Sequence, residues 1–211
     1  MQLETRRLTL RGWQPAQDAR HAMDIYGDRQ VIDWIDDGSQ DQSIRQVEGR
    51  LHRYMNSVKL SHHCAGSWAV EQKDIGRLIG HVMLIEMPEM EAANTHPVAP
   101  DDSIDSTDNS PEISADYIEI GWHFRPASWG FGYATEAAFC IAQYGFDKLK
   151  LPLLLAVIDP KNKRSTAVAE RLGMCYDGIT TRYYGGRELF LYKLTAQDLA
   201  AAQARQALSV P

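Results

Sequence analysis

Hydrophobic positions along this chain repeat with two periods, every second residue and every third to fourth, and the switches between them mark out its elements. In the stretch 3–11, Leu8 and Leu10 alternate with polar neighbours, which predicts a first strand. Pro15 stands where a first helical turn tolerates it, and Ala19, Ala22, Met23 and Tyr26 follow at helical steps. A short aromatic connection, 31–38, leads to a second helix opening at Ser43, with Val47, Leu51, Tyr54, Met55 and Val58 on one face. Residues 67–71 and 77–85 read as two strands joined by a turn at 73–76. Ile118, Ile120, Trp122 and Phe124 then alternate against Glu119, Gly121 and His123. After a link with one proline and two glycines, a helix is marked by Ala134, Ala138, Ile141, Gly145 and Leu149. The apolar run 153–158 suits a strand buried on both faces. A helix follows Asn162 and stops at Gly173. Strands at 178–182 and 188–194 flank a turn at 183–187, and Thr195 with Asp198 caps a last helix reaching Leu208.

Composition adds bounds to that pattern. A chain of 211 residues that is 44% hydrophobic and 24% charged is expected to form a single domain, 1–211, with a real core. No stretch has the length of a membrane span, and the start lacks an apolar signal core, so no membrane partner is expected. Cys64, Cys140 and Cys175 are odd in number and widely spaced, which points to a reducing, cytoplasmic setting. The net charge of −6 argues against a general nucleic-acid binder. That charge is concentrated: residues 88–116 hold eight acids and no Lys or Arg, and removing them from −6 leaves the remainder at +2. The segment is rich in Pro, Ser, Asp, Asn and Thr and reads as an acidic loop insertion. It is either a solubilising flap or a device whose carboxylates attract a cationic amine. His62, His63 and Cys64 are adjacent donors, but metal sites need further ligands at defined spacing, so no metal is expected.

The strongest chemical signal lies at 118–149, where a strand, a glycine-bearing link and a helix start succeed one another. Helix N-termini carry unpaired N–H groups and partial positive charge, and Gly130 and Gly132 let an anion approach the main chain. No Gly-Lys-Ser/Thr comes after Gly132, which disfavours a nucleotide-hydrolysing phosphate loop.

The segment I-G-W-H-F-R-P-A-S-W-G-F-G-Y-A-T-E-A resembles the acetyl-CoA-binding segment of the GNAT acetyltransferase superfamily, and most of all its RimJ/RimL-like branch. Trp129 stands where the superfamily's usual Arg or Gln would be, with Gly132 and Ala134 at its small-residue positions. The opening Thr5-Arg-Arg-Leu-Thr-Leu-Arg11 is similar to that branch's first strand, with Arg6 or Arg7 at its arginine position. Residues 162–174 resemble its Asn-x-x-Ser segment and the helix that ends in Leu-Gly. The resemblance implies an α/β (α+β) fold with a mixed, mostly antiparallel central sheet of six to seven strands flanked by helices. The C-terminal helical tail, about 195–208, could pack on the body or on a second subunit, so a monomer or a homodimer is expected.

It also implies acetyl transfer from acetyl-CoA to an amine. Trp122, His123, Phe124, Trp129, Gly130, Phe131, Gly132, Tyr133, Ala134, Asn162 and Ser165 are then the candidates for holding the coenzyme. Glu119 is the first candidate for the base, His123 the second and Tyr184 the third. Many superfamily members carry a Tyr acid where this chain has Ala169, which leaves Ser165 to donate to the departing sulfur. Ser165 also sits where a helix cap would. Trp34 either lines the acceptor wall or packs between helices. The acceptor is a peptide N-terminus, a polyamine, an aminoglycoside or a small metabolite, because fold does not choose among them. A domain that binds acyl-CoA without turnover is the non-enzymatic alternative.

Overall fold

The computed structural model describes residues 1–35, 38–60, 66–87 and 118–208. The acidic insertion at 88–116 and the His62, His63 and Cys64 group lie outside the described residues. In chain order the elements are β1 (Leu3–Glu4), β2 (Leu8–Arg11), α1 (Pro15–Tyr26), α2 (Arg29–Ile32), α3 (Ile44–Leu60), β3 (Gly66–Gln72) and β4 (Arg77–Glu86). Then come β5 (Ile118–Phe124), α4 (Tyr133–Asp147), β6 (Leu154–Ile158), α5 (Lys163–Leu172), β7 (Cys175–Thr180), β8 (Leu189–Leu194) and α6 (Ala196–Leu208).

Eight strands form one sheet in the order β1-β2-β3-β4-β5-β6-β8-β7, more than the six to seven expected. The first predicted strand is in fact a hairpin. Its amide at Leu8 donates to the Thr5 hydroxyl at 2.9 Å, and that turn folds Leu3 back onto Leu10. All pairings are antiparallel except β5 with β6, and that parallel ladder covers only Ile118 with Leu154 and Glu119 with Leu155. Each strand stays with its outer neighbour far longer: β5 with β4 as far as Phe124 opposite Gly80, and β6 with β8 as far as Ile158 opposite Phe190. The two middle strands therefore part, and a gap opens beyond residues 119 and 155.

The alternation read from the sequence sorts side chains to two faces. On one face Ile118, Ile120 and Phe124 join Trp68, Val70, Leu84 and the apolar stripe of α4 in the larger core. On the other, Ala69 and Leu78 pack with α1, α2 and α3. Gly80 has to be glycine, since a Cβ there would come within 2.5 Å of the Phe124 ring opposite. Arg11 ties α1 to the sheet by reaching both oxygens of Asp18, at 2.8 and 2.7 Å, and Glu71 at 2.5 Å.

A second tie joins the start of the chain to the first turn of α4. Glu136 accepts from the Thr5 hydroxyl at 2.5 Å, the Arg7 amide at 2.9 Å and the Arg7 Nε at 2.6 Å. Of the two arginines in the opening motif it is Arg7 that makes these bonds, and its Nη1 also donates to the Phe131 carbonyl at 3.0 Å. Burial opposes the charge on Glu136, but the bonds from Thr5 and Arg7 outweigh it and hold the carboxyl below its ordinary range. A lowered carboxyl stabilises the fold above the unfolded-state value of about 4.3, and that contribution is lost as pH falls through the folded-state value. Replacement Glu136→Ala is expected to cost about 2 kcal/mol in urea unfolding at neutral pH. The difference from the parent chain should shrink on acidification below about pH 4.

Candidate active site

The gap between β5 and β6 is the head of a cleft of about 680 Å³. Its floor is the exposed edge of β5, and its ends are the N-termini of α4 and α5. Glu119, Trp122, His123, Phe124, Trp129, Gly130, Gly132, Tyr133, Ala134, Asn162, Ser165 and Tyr184 all line it, and so does Trp34. Phe131 does not. Its ring is 60% exposed and stacks outward on Tyr133, with 5.8 Å between centroids. Its part in holding a ligand would therefore fall to its main chain.

The loop before α4 takes its shape from two glycines. Gly130 and Gly132 have φ of 84° and 77°, the left-handed region in which a side chain is strained. Gly132 is the N-cap of α4 and supplies no side-chain bond, so no side chain caps the first N–H groups of this helix. A Cβ at Gly130 would meet no protein atom within 4 Å. Uncapped donors, a helix dipole and open space suit the diphosphate of a coenzyme. Beside the loop, Trp129 donates its indole N–H to the Phe124 carbonyl at 2.8 Å, and the Arg164 guanidinium lies 4.6 Å over its ring.

Across the gap, Asn162 caps α5: its side-chain oxygen accepts from the Ser165 amide at 3.1 Å. The cap expected at Ser165 is therefore at Asn162, and the Ser165 hydroxyl is left for the cleft. That hydroxyl accepts the Trp122 indole N–H at 3.1 Å, bridging β5 to α5 over the opening. With one lone pair so engaged, the Ser165 O–H proton is directed elsewhere. Ala169 is fully buried in the core and does not line the cleft.

At the other end, the Tyr184 hydroxyl donates to Glu119. Tyr184 reaches it from a backbone with φ of 52°, next to Gly185 at 75° and Gly186 at 79°. A large side chain held in that region is strained, and such strain gathers at functional sites.

Above β5 runs a buried polar chain. The Tyr26 hydroxyl is 2.7 Å from Nδ1 of His81 and 3.4 Å from Nδ1 of His123. Nε2 of His81 is 2.8 Å from the Ser67 hydroxyl, which accepts from the Trp13 indole at 3.1 Å. Burial, then the neighbouring His123 ring, pushes His81 well below its ordinary value. Burial, then the charge of Arg50, pushes His123 down to about 3, although the residue is half-exposed and lines the cleft. Both imidazoles are neutral at physiological pH.

Sequence reasoning missed Arg164, Lys163 and Arg171, which also line the cleft, and the Tyr26–His81 pair behind it. The basic run Lys161-Asn-Lys-Arg164 was a visible signal for the first group. Nothing local in sequence pointed to the second. Among the described residues no group of three or more His, Cys, Asp or Glu could hold a metal ion, and no helix is long and apolar enough to cross a membrane.

Comparison with known proteins adds a family to this geometry. Two relatives come from Bacillus subtilis: YkkB, an uncharacterized protein, is 48% identical over 59 residues, and YnaD, an uncharacterized N-acetyltransferase, is 42% identical over 61. These matches cover 28% and 29% of this chain and only 34% and 36% of the relatives. Among solved structures, Mycobacterium smegmatis RimJ in complex with CoA-disulfide superposes with a TM-score of 0.70 at 18% identity, over 95% of this chain and 88% of that one. The ribosomal-protein-S5-alanine acetyltransferase of Vibrio fischeri gives 0.65 at 16%, covering 94% and 98%. A GNAT-family acetyltransferase from Bacillus anthracis gives 0.67 at 21%, covering 93% and 99%. At such identities these neighbours speak for the fold, which is the mixed, helix-flanked sheet that the sequence resemblance implies. The family described as an acetyltransferase (GNAT) domain matches residues 7–175, and this chain belongs to it.

Proposed function

We propose that the chain transfers the acetyl group of acetyl-CoA to the nitrogen of a primary amine. The observation that carries this reading is the parting of β5 from β6 beside an uncapped helix N-terminus. Beyond Glu119 the β6-facing edge of β5 has no ladder partner, so an extended pantetheine arm can bond there as a strand would. The main-chain N–H groups around 130–134 take the diphosphate. Asn162, its side-chain oxygen committed to the cap, keeps its NH₂ for a pantetheine amide. Bound acetyl-CoA supplies an acetyl group activated as a thioester.

The chain's own groups divide the remaining work. A main-chain N–H of Trp122 or His123 donates to the acetyl carbonyl oxygen, where negative charge develops. An alkylamine with a pKa of about 10 arrives protonated and has to lose a proton before it reacts. Glu119, bonded to Tyr184, is the cleft carboxylate suited to receive that proton. His123, held neutral near 3, has too little proton affinity for the task and serves as wall. The Ser165 hydroxyl, oriented by the Trp122 indole, donates to the sulfur as it departs.

Titration calorimetry should detect CoA binding, and failure to bind would end this reading. Replacement Ser165→Ala is expected to lower kcat by about 10- to 100-fold, and Glu119→Gln by about 100-fold or more, with CoA affinity nearly unchanged. An unaltered kcat removes the residue concerned from the reaction. The imidazoles predict a separate pH effect. Between about 3 and 6.5 the unfolded chain binds protons that the folded His123 refuses, so stability should fall as pH drops through that window. Replacing His123 with Gln should flatten this slope in chemical denaturation, and an unchanged slope would show that the ring is protonated in the fold.

A further inference from the structure

The acceptor side of the cleft has a chemistry of its own, and reading an acceptor from it rests on the amine acetylation proposed for this site. On the β5 face away from α4, the wall is made by Val31, Trp34, Ile35, Tyr54, Met83 and Ile85. These come from α2 and the residues after it, from α3 and from β4. Val31, Ile35 and Met83 are nearly buried, whereas Trp34 remains 38% exposed.

Charge is sparse here. Among the described residues two carboxylates line the whole cleft, Glu119 and Asp159, and Asp159 is paired with Arg187 at 3.2 Å. The cleft's other cations, Lys163, Arg164 and Arg171, stand on α5, the helix proposed to meet the coenzyme's pantetheine arm. His123 adds no charge. Among the described residues lining this space, a polycation would find Glu119 for its first nitrogen. Its second would meet apolar wall or cationic side chains, at a large desolvation cost. An amine on an apolar body meets the opposite balance, since the same cleft is lined by Glu119 for a nitrogen and by Trp34 for a carbon skeleton.

We infer that the acceptor is a small monoamine carried on an apolar body, aromatic or branched aliphatic, which lies against Trp34 with its nitrogen at Glu119. The test compares 2-phenylethylamine, spermidine and a pentapeptide with a free N-terminal alanine. Thiol release gives turnover, and calorimetry on the CoA-loaded protein gives binding. For 2-phenylethylamine, kcat/KM should exceed that of the other two by about tenfold or more. Trp34→Ala should raise its KM and its Kd about tenfold while CoA affinity stays as in the parent, and Trp34→Phe should recover most of the loss. Preference for spermidine or the peptide, or an unchanged KM in Trp34→Ala, overturns the inference and leaves acetyl transfer standing. If 2-phenylethylamine binds through Trp34 but no amine releases thiol, the transfer reading falls and the acceptor assignment falls with it, only binding at Trp34 remaining. Failure of 2-phenylethylamine to bind the parent protein overturns the inference whatever the turnover.

Discussion

The site depends on a ladder that stops. Backbone N–H and C=O groups in a folded interior are almost always paired, because leaving one buried and unpaired costs as much as losing a hydrogen bond. Here β5 and β6 each keep a long antiparallel partner on the outside and share only two residue pairs with one another. The outer ladders hold the two strands apart, so the unpaired edge is built into the sheet and does not need to be opened. Solvent or an extended ligand must satisfy it. Other features keep that opening in shape: the Trp122 indole spans it to Ser165, and Gly145 brings α4 close beneath, where a Cβ would already press within 3.3 Å of Leu84.

Much of this was legible in the chain because the relevant physics is local. Alternation at 118–124 assigned Ile118, Ile120 and Phe124 to one face and Glu119 and His123 to the other. Gly130 and Gly132 could be read as loop glycines because the left-handed backbone they adopt strongly favours glycine. Errors came where a side chain, not periodicity, decides the outcome. The Thr5 hydroxyl turns one expected strand into a hairpin, and the Asn162 carbonyl takes the cap expected at Ser165.

What sequence could not show is assembled from distant elements. Trp13, Tyr26, Ser67, His81 and His123 come from five separate stretches and meet in one hydrogen-bonded line. At Trp13 the line ends in an indole, which can donate but not accept, so a proton cannot pass out at that end. Its effect is to fix rings in place. One buried imidazole, His81, and one half-buried, His123, held by such bonds give the wall beside the cleft a definite shape, which an apolar core of similar volume would specify less sharply.

The bonds from Thr5 and Arg7 to Glu136 bear on the order in which the molecule assembles. They join positions 131 and 129 residues apart, and contacts of such separation form slowly because a long loop must close first. During synthesis the opening segment emerges long before its partner exists. Until residue 136 has appeared, Leu8 and Leu10 have the neighbouring strands β1 and β3 but no α4 to pack against, and the Arg7 amide lacks its carboxylate. Segment 5–7 is thus among the last to be locked, and the corner at the start of α4 matures only when the two meet.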